Sequence, residues 1–203
     1  MRSDGVFGFY PIVDSYDWVA RLLPLGVKTI QLRIKDKSVA EVTGPIRDAI
    51  ALARRYDCQL VINDYWQVAL ELGADFIHLG QEDIDSADKN IIQKSGVKLG
   101  LSTHTDDELA RALTWTPDHI ALGPIYETTL KVMRYQPQGL ERLGKWKARI
   151  SCPLIAIGGI TLERAPLVLD AGADVIAVVT DVVFNPNPEA RVEQWLQLFS
   201  QRN

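Results

Sequence analysis

The sequence predicts a (β/α)8 barrel, the TIM-barrel architecture, and three observations favour this fold. Short apolar runs alternate with helical segments eight times along the 203 residues. A similar turn enters every second predicted strand, which is a repeat of two units. Polar residues gather where the strands end, as they do at the carboxyl-terminal rim of a barrel. An open doubly wound sheet is the alternative, but it accounts for neither the eight units nor the repeat.

The predicted strands are apolar runs that end abruptly in polar residues or glycine, as is typical of buried parallel strands. In chain order they cover residues 6–13, 29–33, 60–62, 76–79, 98–102, 120–122, 154–157 and 175–179. The chain contains no Pro-, Gly- or Ser-rich linker. We therefore expect residues 1–203 to form a single domain.

The predicted helices show apolar residues at helical spacing. They cover residues 16–25, 38–56, 66–72, 105–115, 140–148, 162–171 and 189–200. Ser38 with Glu41, and Thr105 with Glu108, match the capping-box pattern that begins a helix. Gly26 is a typical helix terminator. It also starts the first copy of the repeated turn, whose four copies begin at residues 26, 73, 116 and 172.

Composition narrows the range of partners. The net charge is −4 and no basic stretch is present, so we expect no nucleic-acid partner. No apolar run reaches the roughly 18 residues of a membrane span, and the first residues do not resemble a secretion signal. Cys58 and Cys152 lack disulfide-motif and metal-ligand spacing. These features predict a cytoplasmic protein with no membrane partner, and they leave a homo-oligomer open.

The segment Gln31 to Lys35 has an unusual alternation for a strand of a parallel sheet. Gln31, Arg33 and Lys35 share one face, and two apolar residues share the other. Two cations at the end of a strand need an anionic partner or water. From these residues alone, an edge strand with a solvated face is the alternative to a ligand site.

Further charges at neighbouring strand ends favour a ligand site. Lys131 adds a third cation to Arg33 and Lys35, whereas Asp64 and Asp83 follow the third and fourth strands. Two carboxylates beside cations suit Mg²⁺ on a pyrophosphate or another multiply charged phosphate. The alternative is that both aspartates cap helices.

A second phosphate site is predicted on the opposite side of the rim. Gly158 and Gly159 form a turn before a helix, where backbone N–H groups bind phosphate. Val179 and Thr180 follow the eighth strand, close to the usual phosphate site of barrels. A tight turn without a ligand is the alternative for the two glycines. Two interpretations also stay open for Thr128 and Thr129: their hydroxyls contact a ligand, or they only cap a loop.

The three histidines do not have the spacing of a metal cluster. We expect His119 to pack in or near its strand, His78 to face the barrel interior and His104 to help cap the helix that follows it. None of them is assigned to the site.

Taken together, these motifs resemble those of the thiamine phosphate synthase family over nearly the whole chain. They are QLRIKD at residues 31–36, IND at 62–64, HLGQED at 78–83, GLSTH at 100–104, GPI at 123–125, AIGGI at 156–160 and AVV at 177–179. The resemblance implies a transferase of thiamine biosynthesis. In its reaction a pyrimidine diphosphate loses pyrophosphate, and the ring nitrogen of a thiazole phosphate captures the resulting cation.

The resemblance also implies a role for each matching residue. The residues expected to hold the pyrimidine diphosphate are Gln31, Arg33, Lys35, Asn63, Ser102 and Lys131. Asp64 and Asp83 would hold Mg²⁺. Contacts with the thiazole substrate and its phosphate are expected from Thr128, Thr129, Leu130, Gly159, Val179 and Thr180. The expected catalytic residues are Arg33, Lys35, Ser102 and Lys131.

Three positions depart from the family pattern on the thiazole side. Leu130 stands where the family usually has threonine, Thr180 where it has serine, and Asp181 where it has alanine. Because a carboxylate would repel a phosphate, we expect Asp181 to point away from the site. The alternatives to the synthase are a thiazole tautomerase of the same barrel family and a non-catalytic barrel that binds thiazole or thiamine phosphate.

Overall fold

Eight parallel strands close into a barrel in the order β1 to β8, which confirms the predicted fold. The computed structural model describes residues 8–128 and 135–201. The strands are β1 Phe9–Val13, β2 Thr29–Leu32, β3 Gln59–Asn63, β4 Phe76–Leu79, β5 Lys98–Thr103, β6 His119–Leu122, β7 Leu154–Ile157 and β8 Val175–Val178. Because β2 pairs with both β1 and β3, the edge-strand interpretation of this segment is wrong.

Ten α-helices of the described residues surround the barrel. They are α1 Tyr16–Leu22, α2 Val39–Arg55, α3 Trp66–Glu71, α4 Gln81–Ser86, α5 Lys89–Ser95, α6 Asp106–Leu113, α7 Gly139–Lys147, α8 Ala165–Asp170, α9 Thr180–Val183 and α10 Pro188–Ser200. A 3₁₀ turn, Leu23–Leu25, extends α1 and ends at Gly26, whose φ of 91° confirms its role as a terminator. Within residues 8–128 and 135–201, no helix combines the length and the apolar character needed to cross a membrane.

The strands bury apolar side chains on both faces. The inward face forms a small core inside the barrel, with members such as Tyr10, Val61, Phe76 and Ile155. The outward face forms a larger core against the helices. Because of this two-sided burial, the strand sequences are continuous apolar runs. The few polar side chains that point inward therefore stand out.

Two of the three aspartates of the repeated turn stabilise the rim opposite the carboxyl-terminal strand ends. Asp118 Oδ2 accepts a hydrogen bond of 2.8 Å from the N–H of Leu99, and Asp174 Oδ2 accepts one of 2.7 Å from the N–H of Leu154. Each of these two aspartates thus connects the start of one strand to the turn that precedes the next strand. The repeat therefore has a structural role, away from the polar rim.

One capping box is confirmed and the other is only half formed. The Glu41 carboxylate accepts from the backbone N–H of Ser38 at 2.8 Å and from its hydroxyl at 2.7 Å. Thr105 accepts from the N–H of Glu108 at 3.2 Å, as predicted. The Glu108 carboxylate, however, accepts from the N–H of His104 at 2.6 Å, one residue before the expected partner.

Three short helices and some element boundaries differ from those predicted from the sequence. α4, α5 and α9 were not predicted, because each has only one buried side chain and so little apolar periodicity. Arg33 and Val179 lie just beyond their strands, and α8 begins three residues later than predicted.

Candidate active site

A cavity of about 660 Å³ opens at the carboxyl ends of the strands, and residues of all eight strands line it. It brings together nearly all the residues predicted for the site. Those that line it are Gln31, Arg33, Lys35, Asn63, Asp64, Asp83, Ser102, Thr128, Gly159, Val179 and Thr180. The remaining three, Thr129, Leu130 and Lys131, lie outside the described residues.

Gln31 is fixed in the wall of this cavity by a partner inside the barrel. Its Nε2 donates to the hydroxyl of Tyr10 at 2.7 Å, and both side chains are buried. Burial raises the pKa of Tyr10, so the hydroxyl stays protonated. The amide is therefore held in place before any ligand binds.

Lys35 and Asp64 form an ion pair at the mouth of the cavity. The Lys35 side chain is 43% exposed, whereas that of Asp64 is only 16% exposed. Asp64 has a φ of 64° and does not cap α3, whose first turn receives no side-chain cap. For Asp64, the helix-capping alternative is therefore wrong.

Asp83 combines a capping role with a place in the cavity. Its Oδ2 accepts from the N–H of Gly80 at 3.0 Å, at the start of α4. Partial burial, and after it the charge of the nearby Asp64, raises the pKa of Asp83. The two carboxylates thus converge and repel one another.

A hard divalent cation fits this pair. Asp64 and Asp83 offer two carboxylate groups that would suit Mg²⁺, which commonly takes one or two protein carboxylates. In the described part of the chain, no group of three or more His, Cys, Asp and Glu side chains could hold a metal ion. Water and substrate oxygens would therefore complete the coordination.

A buried row of two histidines lies behind Ser102, and neither histidine was assigned to the site from the sequence. His78 Nε2 is 2.8 Å from Ser102 Oγ, and His78 Nδ1 is 3.0 Å from His119 Nε2. Burial lowers the pKa of His78 to about 4, with the Arg33 charge as a smaller cause. Burial also lowers the pKa of His119, so both rings are neutral near pH 7.

The two glycines after β7 allow another loop to approach closely. Gly158 has a φ of 99° and Gly159 a φ of 63°. A Cβ on Gly158 would lie 2.6 Å from Pro124 Cα, and one on Gly159 would lie 2.3 Å from the carbonyl oxygen of Glu127. Sterics alone therefore require these glycines, and the turn also lines the cavity, so phosphate binding by this turn stays a prediction.

A family model described as thiamine monophosphate synthase matches residues 9–182. The chain belongs to the thiamine monophosphate synthase family. This membership confirms the resemblance inferred from the motifs.

Relatives of the family support the same assignment. The chain is 58% identical to a thiamine-phosphate synthase of Rhizobium etli over 93% of each chain. It is 50% identical to one of Serratia proteamaculans, over 94% of this chain and 91% of that one. A solved thiamine phosphate pyrophosphorylase from Pyrococcus furiosus has a TM-score of 0.85 and 27% identity, with 96% of each chain covered.

A more distant solved structure shares only the fold. This is a 3-hexulose-6-phosphate synthase from Salmonella typhimurium, with a TM-score of 0.70 and 12% identity, over 97% of this chain and all of that one.

Asp181 points away from the cavity of this family member, as the sequence analysis predicted. Its carboxylate accepts two hydrogen bonds of 2.9 Å from Arg191 and one of 2.7 Å from the indole N–H of Trp195. The side chain is only 7% exposed. An aspartate next to Thr180 is therefore compatible with an anion in the cavity, because Arg191 neutralises it from behind.

Proposed function

We propose that the chain acts as a thiamine phosphate synthase, joining a pyrimidine diphosphate to a thiazole phosphate and releasing pyrophosphate. One observation supports this most strongly. A single cavity brings an amide, two described cations and two converging carboxylates together at the strand ends of a chain in this family.

The diphosphate half of the site would drive the first step. The bond between the pyrimidine methylene carbon and the diphosphate oxygen breaks, and its electron pair leaves with pyrophosphate. Arg33 and Lys35, with Lys131 from outside the described residues, would stabilise the charge that develops on the leaving oxygen. Asn63 and Ser102 line the same wall and would position the substrate, while the fixed Gln31 would hold the pyrimidine ring.

Asp64 and Asp83 would hold Mg²⁺ beside the diphosphate. When bound, the ion would neutralise part of the diphosphate charge. Lys35, which contacts the Asp64 carboxylate, would also be close enough to the metal site to pair with a diphosphate oxygen.

The residues on the thiazole side of the site would act in the second step. The thiazole ring nitrogen forms a bond to the methylene cation, so no protein nucleophile or proton transfer is needed. Thr128, Thr129 and Leu130 would contact this substrate. Its phosphate would bind between the turn at Gly159 and the start of α9, at Val179 and Thr180.

Neither alternative from the sequence analysis makes use of the complete site. A thiazole tautomerase has no diphosphate to bind, so a carboxylate pair with adjacent cations would have no role in such an enzyme. A non-catalytic barrel would need no group that stabilises a leaving pyrophosphate. A cytoplasmic enzyme with small-molecule substrates also agrees with the two free cysteines.

A product assay tests the proposal. Purified protein is mixed with the pyrimidine diphosphate, the thiazole phosphate and Mg²⁺, and both products are quantified. Thiamine phosphate and pyrophosphate should form in equal amounts. Isomerised thiazole phosphate without pyrophosphate would support the tautomerase instead, and ligand binding without turnover would support the non-catalytic barrel.

A further inference from the structure

His78, Gly100 and His119 lie side by side on three adjacent strands. Gly100 on β5 is in register with His78 on β4 and with His119 on β6. A Cβ on Gly100 would lie 2.0 Å from His119 Nε2, so the missing side chain provides the space in which the rings meet. Their centroids are 5.2 Å apart, with an interplanar angle of 23°.

The two rings and Ser102 form a continuous row of hydrogen bonds that ends in the cavity. Ser102 Oγ contacts His78 Nε2 at 2.8 Å, and His78 Nδ1 contacts His119 Nε2 at 3.0 Å. At the other end, His119 Nδ1 is buried and has no hydrogen-bond partner among the described residues. Ser102 and His78 line the cavity, whereas His119 does not.

Such a row can run in two directions, because a neutral imidazole carries one N–H donor and one bare acceptor nitrogen. In one direction both rings carry the proton on Nε2, and His78 donates to Ser102. In the other direction both carry it on Nδ1, and Ser102 donates to His78. The 3.0 Å contact between His78 Nδ1 and His119 Nε2 requires one of these two nitrogens to be bare, so the two rings are not both fully protonated.

The unpartnered nitrogen of His119 distinguishes the two directions. If the protons were on Nδ1, a buried N–H of His119 would have no acceptor. If they are on Nε2, only a lone pair is unpaired. Buried polar groups without a partner are unfavourable, and orphaned N–H donors are rarer in proteins than acceptors with an unused lone pair.

We infer that His119 and His78 form a directed hydrogen-bond row, with each proton on Nε2, that makes Ser102 an acceptor from His78. The Ser102 hydroxyl proton is then directed into the cavity. Ser102 is a donor toward the ligand, suited to a ring nitrogen or a phosphate oxygen. His119 is a positioning residue, since it acts on Ser102 only through His78. That the ligand is the pyrimidine diphosphate rests on the proposed function, but the direction of the row does not.

Nitrogen NMR of the ligand-free protein tests this inference. The chain has only three histidines, and His104, which contacts Glu108 at 2.8 Å, is assigned with the variant His104→Gln. The ¹⁵N spectra of the other two rings should show a protonated Nε2 and a bare Nδ1 at pH 7. A proton on Nδ1 of either ring, or a charged ring, would overturn the inference.

The variant Ser102→Ala provides a second readout and assigns His78. It removes the acceptor, so the Nε2–H proton signal of His78 should shift and exchange faster with water, while the tautomer of His119 is unchanged. If Ser102 were the donor, His78 Nε2 would carry no proton signal to shift. A protein that makes thiamine phosphate but has the opposite tautomers would contradict only this inference, and the expected tautomers without product would contradict only the proposed function.

Discussion

Asp64, which follows β3, and Asp83, in the first turn of α4, lie so close that the Asp64 charge adds to burial in raising the pKa of Asp83. Two carboxylates in this arrangement are unfavourable when both are ionised and no cation is present. The repulsion between the two carboxylates lowers the stability of the fold at a place where Lys35 also contacts Asp64. Such a concentration of charge is typical of a binding site for a polyanion and its metal ion.

This pair predicts a pH-dependent response to metal. Because the pKa of Asp83 is raised, the stability of the metal-free protein should fall as pH rises through that pKa, and Mg²⁺ with pyrophosphate should restore it. At about 100 times Kd the ligands would add ~2.7 kcal/mol. The increase in Tm, measured by calorimetry, should disappear as pH falls through the raised pKa. The control Asp83→Asn keeps an acceptor for Gly80 and should lose the metal effect at every pH, whereas an unchanged effect would exclude Asp83 as a ligand.

Gln31 and Arg33 should differ in the kinetic step that they affect. Gln31→Ala removes a group proposed to hold the pyrimidine, so KM for the diphosphate should rise about tenfold with a smaller change in kcat. Arg33→Ala removes a charge that stabilises the leaving group, so kcat should fall on the order of 10²-fold. Steady-state kinetics of both variants check this division. A loss of kcat in Gln31→Ala equal to that in Arg33→Ala would contradict it.

The Gly159 turn should not tolerate a side chain. Gly159→Ala combines an unfavourable φ of 63° with a Cβ 2.3 Å from the Glu127 carbonyl oxygen. Gly96→Ala is the matched control, because Gly96 has a φ of 75° with nothing within 4 Å of its Cβ. The control should lose ~1 kcal/mol of unfolding free energy, from backbone strain alone.

Gly159→Ala should lose more than the control and should also raise KM for the thiazole phosphate. Urea unfolding and kinetics measure the two effects. Equal losses of unfolding free energy in both variants, with KM unchanged, would contradict this prediction. They would show that the loop at Glu127 shifts readily to make room for the added methyl group and that the turn does not bind the substrate.

Asp181 should matter for stability. Asp181→Ala leaves Arg191, whose side chain is 13% exposed, with Glu163 and Gln194 as its side-chain partners among the described residues. Breaking a buried ion pair on one side typically costs about 3 kcal/mol. Glu193→Ala, at an exposed position on the same helix, should change the unfolding free energy by less than ~0.5 kcal/mol. A neutral effect of Asp181→Ala in chemical denaturation would contradict the anchoring role.

The barrel itself could be predicted because its strands are buried on both faces and its turns repeat. The polar rim was also predictable, since Arg33, Asp64 and Ser102 interrupt apolar runs at their ends. Short helices such as α9 were not, because four residues with one buried side chain carry no usable periodicity.

Contacts between strands distant in sequence were the part of the site that could not be predicted. The sequence predicted that His119 packs in or near its strand, and His119 is buried there. Its contact with His78 depends on the register of three strands and on the missing side chain of Gly100. The partner of Asp181 likewise lies ten residues away on another helix, so the sequence indicated only that this carboxylate should face away from the anion.

The most direct test of the account is the rate of pyrophosphate release in a single turnover, with enzyme in excess over the pyrimidine diphosphate. The wild-type protein with Mg²⁺ is compared with the same protein in EDTA and with Asp64→Asn. The rate should fall on the order of 10²-fold or more in both, because each removes charge stabilisation from the leaving pyrophosphate. An unchanged rate in both EDTA and Asp64→Asn would show that the charges at the cavity mouth do not drive the departure of pyrophosphate.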